Sequence, residues 1–72
     1  MRPYIPFEET NNAETVRGIA RREVDRGNAQ RLLDNLTTVT ENVYQRLPSG
    51  DYGRGDVKRI LEETVRSLTE TR

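Results

Sequence analysis

Apolar residues recur with a helical period over the stretch from Asn28 to Leu47. At about 100° per residue these side chains fall within an arc of roughly 140°, and polar side chains fill the opposite side. The pattern predicts one amphipathic helix over residues 28–47 with one buried face. Thr40 lies near the middle of that face, where its hydroxyl is expected to bond to the carbonyl of Leu36. The apolar stripe comprises Ala29, Leu32, Leu33, Leu36, Val39, Val43, Tyr44 and Leu47.

A narrower stripe predicts an earlier helix near residues 12–26. Asn11 or Asn12 is expected to be its N-cap, and Glu14, three residues after Asn11, approximates a capping box. Gly27 is a C-terminal stop signal that separates this helix from the next. A helix continuing through Gly27 would point the two apolar faces roughly 160° apart, so a break is predicted. The stripe comprises Ala13, Val16, Ala20 and Val24, with Ile19 on its flank.

A third helix is predicted near residues 56–70, after a loop at 48–55 that holds one proline and three glycines. Asp56 is expected to cap it. Three pairs four residues apart, Lys58–Glu62, Arg59–Glu63 and Glu62–Arg66, are expected on its outer face. Its buried stripe comprises Val57, Ile60, Leu61, Val65 and Leu68, with Thr64 near the centre.

These patterns predict an all-α fold of three short amphipathic helices with an extended N-terminal arm. The second and third helices are expected to form an antiparallel hairpin around the 48–55 loop. The predicted division is an arm over residues 1–10 and one three-helix domain over residues 11–72.

The arm is apolar although its two prolines disfavour a helix. Tyr4, Ile5 and Phe7 lie in it, and a fully exposed arm would have little reason to carry them. Two placements remain open. The arm either packs across the helices of its own chain or inserts into a groove on another chain.

Composition limits what this chain can be. Leu, Ile, Val and Phe make up 16 of the 72 residues, close to the level of about 20% below which chains are typically disordered. A domain this small usually needs a disulfide, a metal or an association partner for stability. Cysteine and histidine are both absent, which rules out a disulfide framework and an ordinary zinc site. Self-association or a protein partner is therefore the expected source of further stability.

Net charge and hydropathy limit the kinds of partner and the cellular locations expected for this chain. Twelve basic and twelve acidic residues give a net charge of zero, so no overall field attracts a polyanion or an acidic membrane. No apolar run is long enough for a signal peptide or a membrane span. The chain is expected to be soluble, in the cytoplasm or within a macromolecular assembly, and not secreted.

An enzyme is not expected. The chain lacks the commonest general base and the best nucleophile, and the adjacent carboxylates Glu62 and Glu63 diverge by about 100° on a helix. Gly50 and Gly55 have the spacing of a phosphate-binding loop, but Asp56 and Val57 replace its lysine and hydroxyl residue. We expect no catalytic residue, no cofactor and no metal.

Nucleic acid is the alternative partner because several arginines cluster around the first turn between helices. The short turn at Gly27 resembles that of a helix-turn-helix, with the following helix as the one that would read bases. Acidic residues are interspersed, so a solvated helix is favoured over a DNA-binding one. The arginines are Arg17, Arg21, Arg22, Arg26 and Arg31.

The preferred hypothesis is a small non-enzymatic interaction or assembly protein that binds a protein partner, its own copies, or both. Small accessory proteins of phages often have this build, which is an analogy of class only. Within residues 29–47, the spacing between apolar positions alternates between three and four residues, as in a short coiled-coil seam. The expected partner-binding residues are Tyr4, Ile5, Phe7, Leu32, Leu36, Val39 and Val43.

Overall fold

A computed structural model describes residues 5–70, and every regular element in that range is helical. The all-α prediction is therefore confirmed for this part of the chain. A short 3-10 helix, Phe7–Glu9, precedes four α-helices. They are α1 (Asn11–Asp25), α2 (Ala29–Asp34), α3 (Leu36–Arg46) and α4 (Arg54–Glu70).

The first helix begins at Asn11, as predicted, but its cap is Thr10. The Thr10 hydroxyl oxygen accepts a hydrogen bond from the Ala13 amide at 3.3 Å and donates to the Phe7 carbonyl at 2.6 Å. The expectation of an asparagine cap was wrong because threonine, with extended backbone geometry (φ −92°, ψ 163°), already satisfies an amide of the first turn. One side chain thus links the 3-10 helix to α1.

Gly27 ends α1, as predicted, with a φ of 82°. The Asn28 amide donates to the Glu23 carbonyl at 2.8 Å, and the Gly27 amide donates to the Val24 carbonyl at 3.0 Å. This pair of bonds is the Schellman motif, which needs a residue in the left-handed region and so favours glycine. The chain turns sharply here, and α2 starts immediately afterwards.

The single helix predicted over residues 28–47 is two helices, because the chain breaks at Asn35 (φ −116°, ψ 30°). The Asn35 side-chain amide donates to the Arg31 carbonyl at 3.0 Å. Asparagine is poor inside helices because its side chain competes for backbone groups in this way. The Asn35 carbonyl then accepts from the Val39 amide at 2.9 Å, so the same residue closes α2 and opens α3.

The last helix begins at Arg54, two residues earlier than predicted, and Asp56 lies in its first turn. The Asp56 carboxylate accepts from the Gly53 amide at 3.2 Å, which is the reciprocal half of a capping box. Of the expected pairs on α4, Arg66–Glu62 is confirmed at 3.0 Å. Arg59 instead pairs with Glu8 at 3.4 Å and with Asp56 at 3.3 Å.

The core lies where α1 and α3 pack against α4. Glu41 bonds to Arg54 at the start of α4, whereas residues 36–38 at the start of α3 line one cavity with Lys58 and Glu62, so α3 and α4 run antiparallel, as predicted for the hairpin. The predicted stripes face this core. Its buried apolar residues are Phe7, Ala13, Val16, Ala20, Leu32, Val43, Val57, Ile60, Leu61 and Val65.

Thr40 is buried among these apolar residues, with 4% of its surface exposed. The predicted bond to the Leu36 carbonyl is wrong: the Thr40 hydroxyl has no hydrogen-bond partner among the described residues. The shape of the side chain suits this position because its methyl group resembles that of valine. Its hydroxyl group does not suit this position, because it is buried there without a hydrogen bond to any of residues 5–70.

The N-terminal arm is not extended throughout, since Phe7–Glu9 form a 3-10 turn. Phe7 is buried in the core of its own chain, and its ring lies 4.9 Å from that of Tyr52. From residue 7 onward the arm therefore packs in cis. Tyr4 lies outside the described residues, whereas Ile5 is exposed over 60% of its surface.

Candidate protein-docking groove

A groove of about 440 Å³ runs between α1, α2 and α3. Its apolar floor comes from three helices: Ile19 from α1, Leu32 from α2 and Val39 from α3. Leu32 is 3% exposed, whereas Ile19 and Val39 are half-buried. The polar rim comprises Glu23, Asn28, Arg31 and Asn35. We call this feature the docking groove.

The two breaks in the chain position the docking groove. The Schellman turn at Gly27 places α2 in contact with α1, and the break at Asn35 separates α3 from α2. Asn28 and Asn35, the residues at those corners, both stand on the rim. A continuous helix over residues 28–47 would have no corner at this point.

The charges on the rim are not balanced. The Glu23 carboxylate is already engaged, because the Asn28 side-chain amide donates to it at 2.8 Å and Arg26 lies 3.8 Å from it. Arg31 is exposed and makes no ion pair within residues 5–70. A positive group therefore stands beside an apolar floor without an internal counter-ion.

A second cavity, of about 360 Å³, lies between α1, α4 and the 3-10 helix, and three arginines line it. Arg17 donates to the Glu8 carbonyl at 2.7 Å and pairs with Glu14 at 3.0 Å. Burial lowers the pKa of Arg59, but the carboxylates of Glu8, Glu63 and Asp56 outweigh burial and raise it overall. Arg17 and Arg59 fasten the 3-10 helix to α1 and α4, so their charge is largely used within the chain.

The arginines predicted for nucleic acid lie on two surfaces. Arg17 and Arg21 line the second cavity, whereas Arg31 lines the docking groove, where Arg26 pairs with Glu23. Arg21 and Arg22 are exposed without ion pairs in the described part of the chain. The helix expected to read bases begins with α2, which spans six residues and ends at Asp34.

The predicted partner-binding residues separate by burial. Leu32 and Val43 are buried in the domain's own core, as is Phe7, while Leu36 and Val39 are half-buried and packed against it. Leu32 and Val39 also line the docking groove. Ile19 lines the docking groove but was not among the predicted partner-binding residues, although its position on the flank of the α1 stripe was the available signal.

The hairpin of α3 and α4 carries an ion pair near the loop that joins the two helices. Arg54 donates to both carboxylate oxygens of Glu41, through NH2 to Oε2 at 3.0 Å and through Nε to Oε1. The same guanidinium lies 4.6 Å from the centroid of the Tyr44 ring. The hydrogen bond from Arg54 lowers the pKa of Glu41, and that from Gln45 lowers it further. This arrangement is structural, because it joins the two helices.

The loop between these helices is closed by Tyr52, whose hydroxyl donates to the Pro48 carbonyl. Its ring meets the Tyr44 ring edge-on, with centroids 5.9 Å apart. Burial raises the pKa of the Tyr52 hydroxyl. The loop is therefore held against the 3-10 helix and α3.

The described residues contain neither a metal-binding cluster nor a helix that could cross a membrane. Within residues 5–70, no three side chains of the metal-binding types (histidine, cysteine, aspartate or glutamate) lie together where they could hold a metal ion. Across the same range, no helix has the length and apolar character that crossing a membrane requires. Compared with known protein families, with curated proteins and with solved structures, the chain has no significant match.

Proposed function

We propose that this protein is a small non-enzymatic interaction protein that docks a segment of a protein partner in the groove between α1, α2 and α3. The observation that supports the proposal is the convergence of Ile19, Leu32 and Val39, from three different helices, on one open apolar floor. Accessible apolar surface with a polar rim is typical of sites that bind other proteins.

A photo-crosslinking experiment tests this proposal. A photoreactive phenylalanine analogue replaces Val39 in the groove, or Arg46 as a control, and the chain is expressed in its native host. Arg46 is an exposed residue of α3 that does not line the docking groove. We expect a discrete crosslinked species from position 39 only, because only a segment seated in the groove comes within reach of it.

Specificity is tested by adding the substitution Ile19→Glu to the position-39 chain. A carboxylate on the groove floor should remove the crosslinked species, since burial of an unpaired charge is costly. Circular dichroism checks that the helices remain. Equal crosslinking from positions 39 and 46, or crosslinking that survives Ile19→Glu, would contradict the docking proposal.

A second candidate function is DNA binding, which is supported by three of the five arginines of the α1–α2 region, Arg21, Arg22 and Arg31, because they are exposed and have no ion pair within residues 5–70. Phosphate contacts give affinity that falls steeply with salt. Retention on a DNA column that vanishes at moderate salt, and that weakens in the Arg22→Gln variant, would favour this candidate. No retention at low salt would exclude it.

A further inference from the structure

We infer that the docking groove accepts an acidic amphipathic segment, one that presents aliphatic side chains along one face and carboxylates beside them. The inference rests on the proposed docking function and specifies the chemistry of the partner. It follows from the charge around the groove taken together with its apolar floor.

Two arginines lie beside the groove on α1. At about 100° per residue, Arg22, Glu23 and Arg26 all lie within roughly 60° of Ile19, so they share one side of that helix, and of these three Glu23 lines the groove. The 3.8 Å approach of Arg26 to Glu23 agrees with that placement. Arg31 borders the opposite edge, on α2. The rim therefore holds Arg31 and Glu23, and Arg22 and Arg26 lie next to it on α1.

The single anion is the least available of these four groups. Glu23 accepts the Asn28 side-chain amide at 2.8 Å and is about one-third exposed. Arg22 and Arg31 have no ion pair within residues 5–70 and are exposed. Because opposite charges across an interface select the partner and speed its encounter, the rim favours carboxylates.

The floor distinguishes a peptide from a nucleic acid. Its residues Ile19, Leu32 and Val39 are all aliphatic, and phosphates and sugars gain nothing from them. An amphipathic helix places apolar side chains at i, i+3 or i+4, and i+7 into a groove of this kind. Apolar contact then provides affinity, and the arginines provide selectivity.

Three synthetic fluorescent peptides of roughly 18 residues test the inference. The first has leucines at helical spacing and glutamates elsewhere, the second replaces every glutamate with lysine, and the third keeps the glutamates but replaces the leucines with glutamines. Fluorescence anisotropy measures affinity, and amide chemical shifts of the labelled protein locate the site. We expect only the first peptide to bind, with shifts centred on Ile19, Leu32 and Val39.

Matched variants separate the contribution of the rim arginine to peptide binding from that of the apolar floor. Arg31→Gln should weaken the acidic peptide about two- to fivefold at low salt, in keeping with an exposed ion pair. Arg46→Gln removes the same charge from an exposed arginine of α3 that also has no ion pair in the described range, and should change nothing. Ile19→Gln should weaken binding about tenfold or more by removing apolar contact.

Each outcome decides between the two proposals. Binding of the lysine peptide in the groove would overturn the acidic partner while leaving the docking function intact. If neither of the two leucine-containing peptides binds, that result would count against the docking function as well as against the acidic partner. Equal effects of Arg31→Gln and Arg46→Gln would show that net charge, rather than the rim, attracts the peptide. Groove shifts produced by duplex DNA, without binding of the acidic peptide, would favour nucleic acid instead.

Discussion

Thr40 carries the most costly polar group of the described core. Its hydroxyl is buried without a hydrogen-bond partner among residues 5–70, and such a group destabilises a fold by about 1–3 kcal/mol. The apolar stripe predicted the burial of Thr40, because position along a helix fixes which way a side chain faces. It could not predict the missing bond, which depends on the rotamer chosen against α4.

Thr40→Val should stabilise the protein by about 1 kcal/mol, because a methyl group of similar size replaces the unpartnered hydroxyl. The melting temperature should rise by several degrees. Thr40→Ser is the matched control, since it keeps the hydroxyl, deletes the methyl and should destabilise. A lower melting temperature for Thr40→Val would mean that the hydroxyl has a partner in solution.

At the scale of the elements, substitutions at two glycines, one after α1 and one inside it, test the turn that ends this helix. Gly27 has a φ of 82°, whereas Gly18 lies inside α1, and a Cβ there would meet no atom within 4 Å. Gly27→Ala should destabilise by about 1 kcal/mol, since alanine is strained in the left-handed region. Gly18→Ala should stabilise by roughly 0.5–1 kcal/mol through helix propensity.

Urea denaturation of both glycine variants measures these opposite signs. If Gly27→Ala were neutral, the Schellman turn would not be the conformation that ends α1 in solution. If both variants were destabilised, a contact at Gly18 that the structure does not contain would have to explain the second loss.

The ion pair between α3 and α4 predicts a pH dependence. The pKa of Glu41 lies below its ordinary value of 4.5 because Arg54 bonds to the carboxylate. A lowered pKa in the folded state gives stability that is complete above the unfolded pKa and is lost as the pH falls through the folded pKa. The wild-type melting temperature should therefore fall on acidification below 4.5.

Glu41→Gln should remove part of that acid dependence, whereas Glu9→Gln should not. Glu9 is an exposed carboxylate without an ion pair in the described residues. Thermal melts of the three proteins across the acidic range provide the comparison. Parallel pH profiles for wild type and Glu41→Gln would show that the pair adds nothing in solution.

The helical breaks show where the sequence was and was not sufficient. Gly27 was predictable because one residue type is uniquely suited to a positive φ. The break at Asn35 was not, because the stripe from Ala29 to Leu47 keeps its phase across it and asparagine is tolerated in many helices. The docking groove was also beyond prediction, since it arises only when α1 lies beside that corner.

At the scale of the molecule, the arm completes the core. Phe7 is 4% exposed, its carbonyl accepts the Thr10 hydroxyl, and the carbonyl of the next residue, Glu8, accepts from Arg17. The sequence identified the arm as apolar but left its placement open, because composition does not distinguish packing in cis from packing in trans. The structure places Phe7 against Tyr52 of the same chain.

Phe7→Ala should cost about 3–5 kcal/mol and remove most of the stability of so small a domain. Ile5→Ala, two residues earlier and 60% exposed, should change the free energy of unfolding by less than about 0.5 kcal/mol. Chemical denaturation followed by circular dichroism distinguishes the two. A small effect of Phe7→Ala would show that the arm detaches readily.

Self-association stays a prediction. The expected seam over residues 29–47 is partly occupied, because Leu32 and Val43 are buried in the chain's own core. A second copy would therefore have to use half-buried residues of that seam outside the docking groove, such as Leu33 and Leu36. Light scattering over about a hundredfold concentration range is the test. A rising mass that Leu36→Asp abolishes is the expected result, whereas a constant 8.3 kDa would leave only a different protein as partner.

The two corners at Gly27 and Asn35 leave α2 only six residues long. So short a helix has few internal hydrogen bonds, and its amides should open and exchange with solvent faster than those of α1 or α4. Leu32, at the floor of the groove, lies within it. Deuterium uptake by residues 29–34 should therefore report whether the docking groove is filled. Uptake should be fast when the groove is empty and slow once a segment of a partner is bound there.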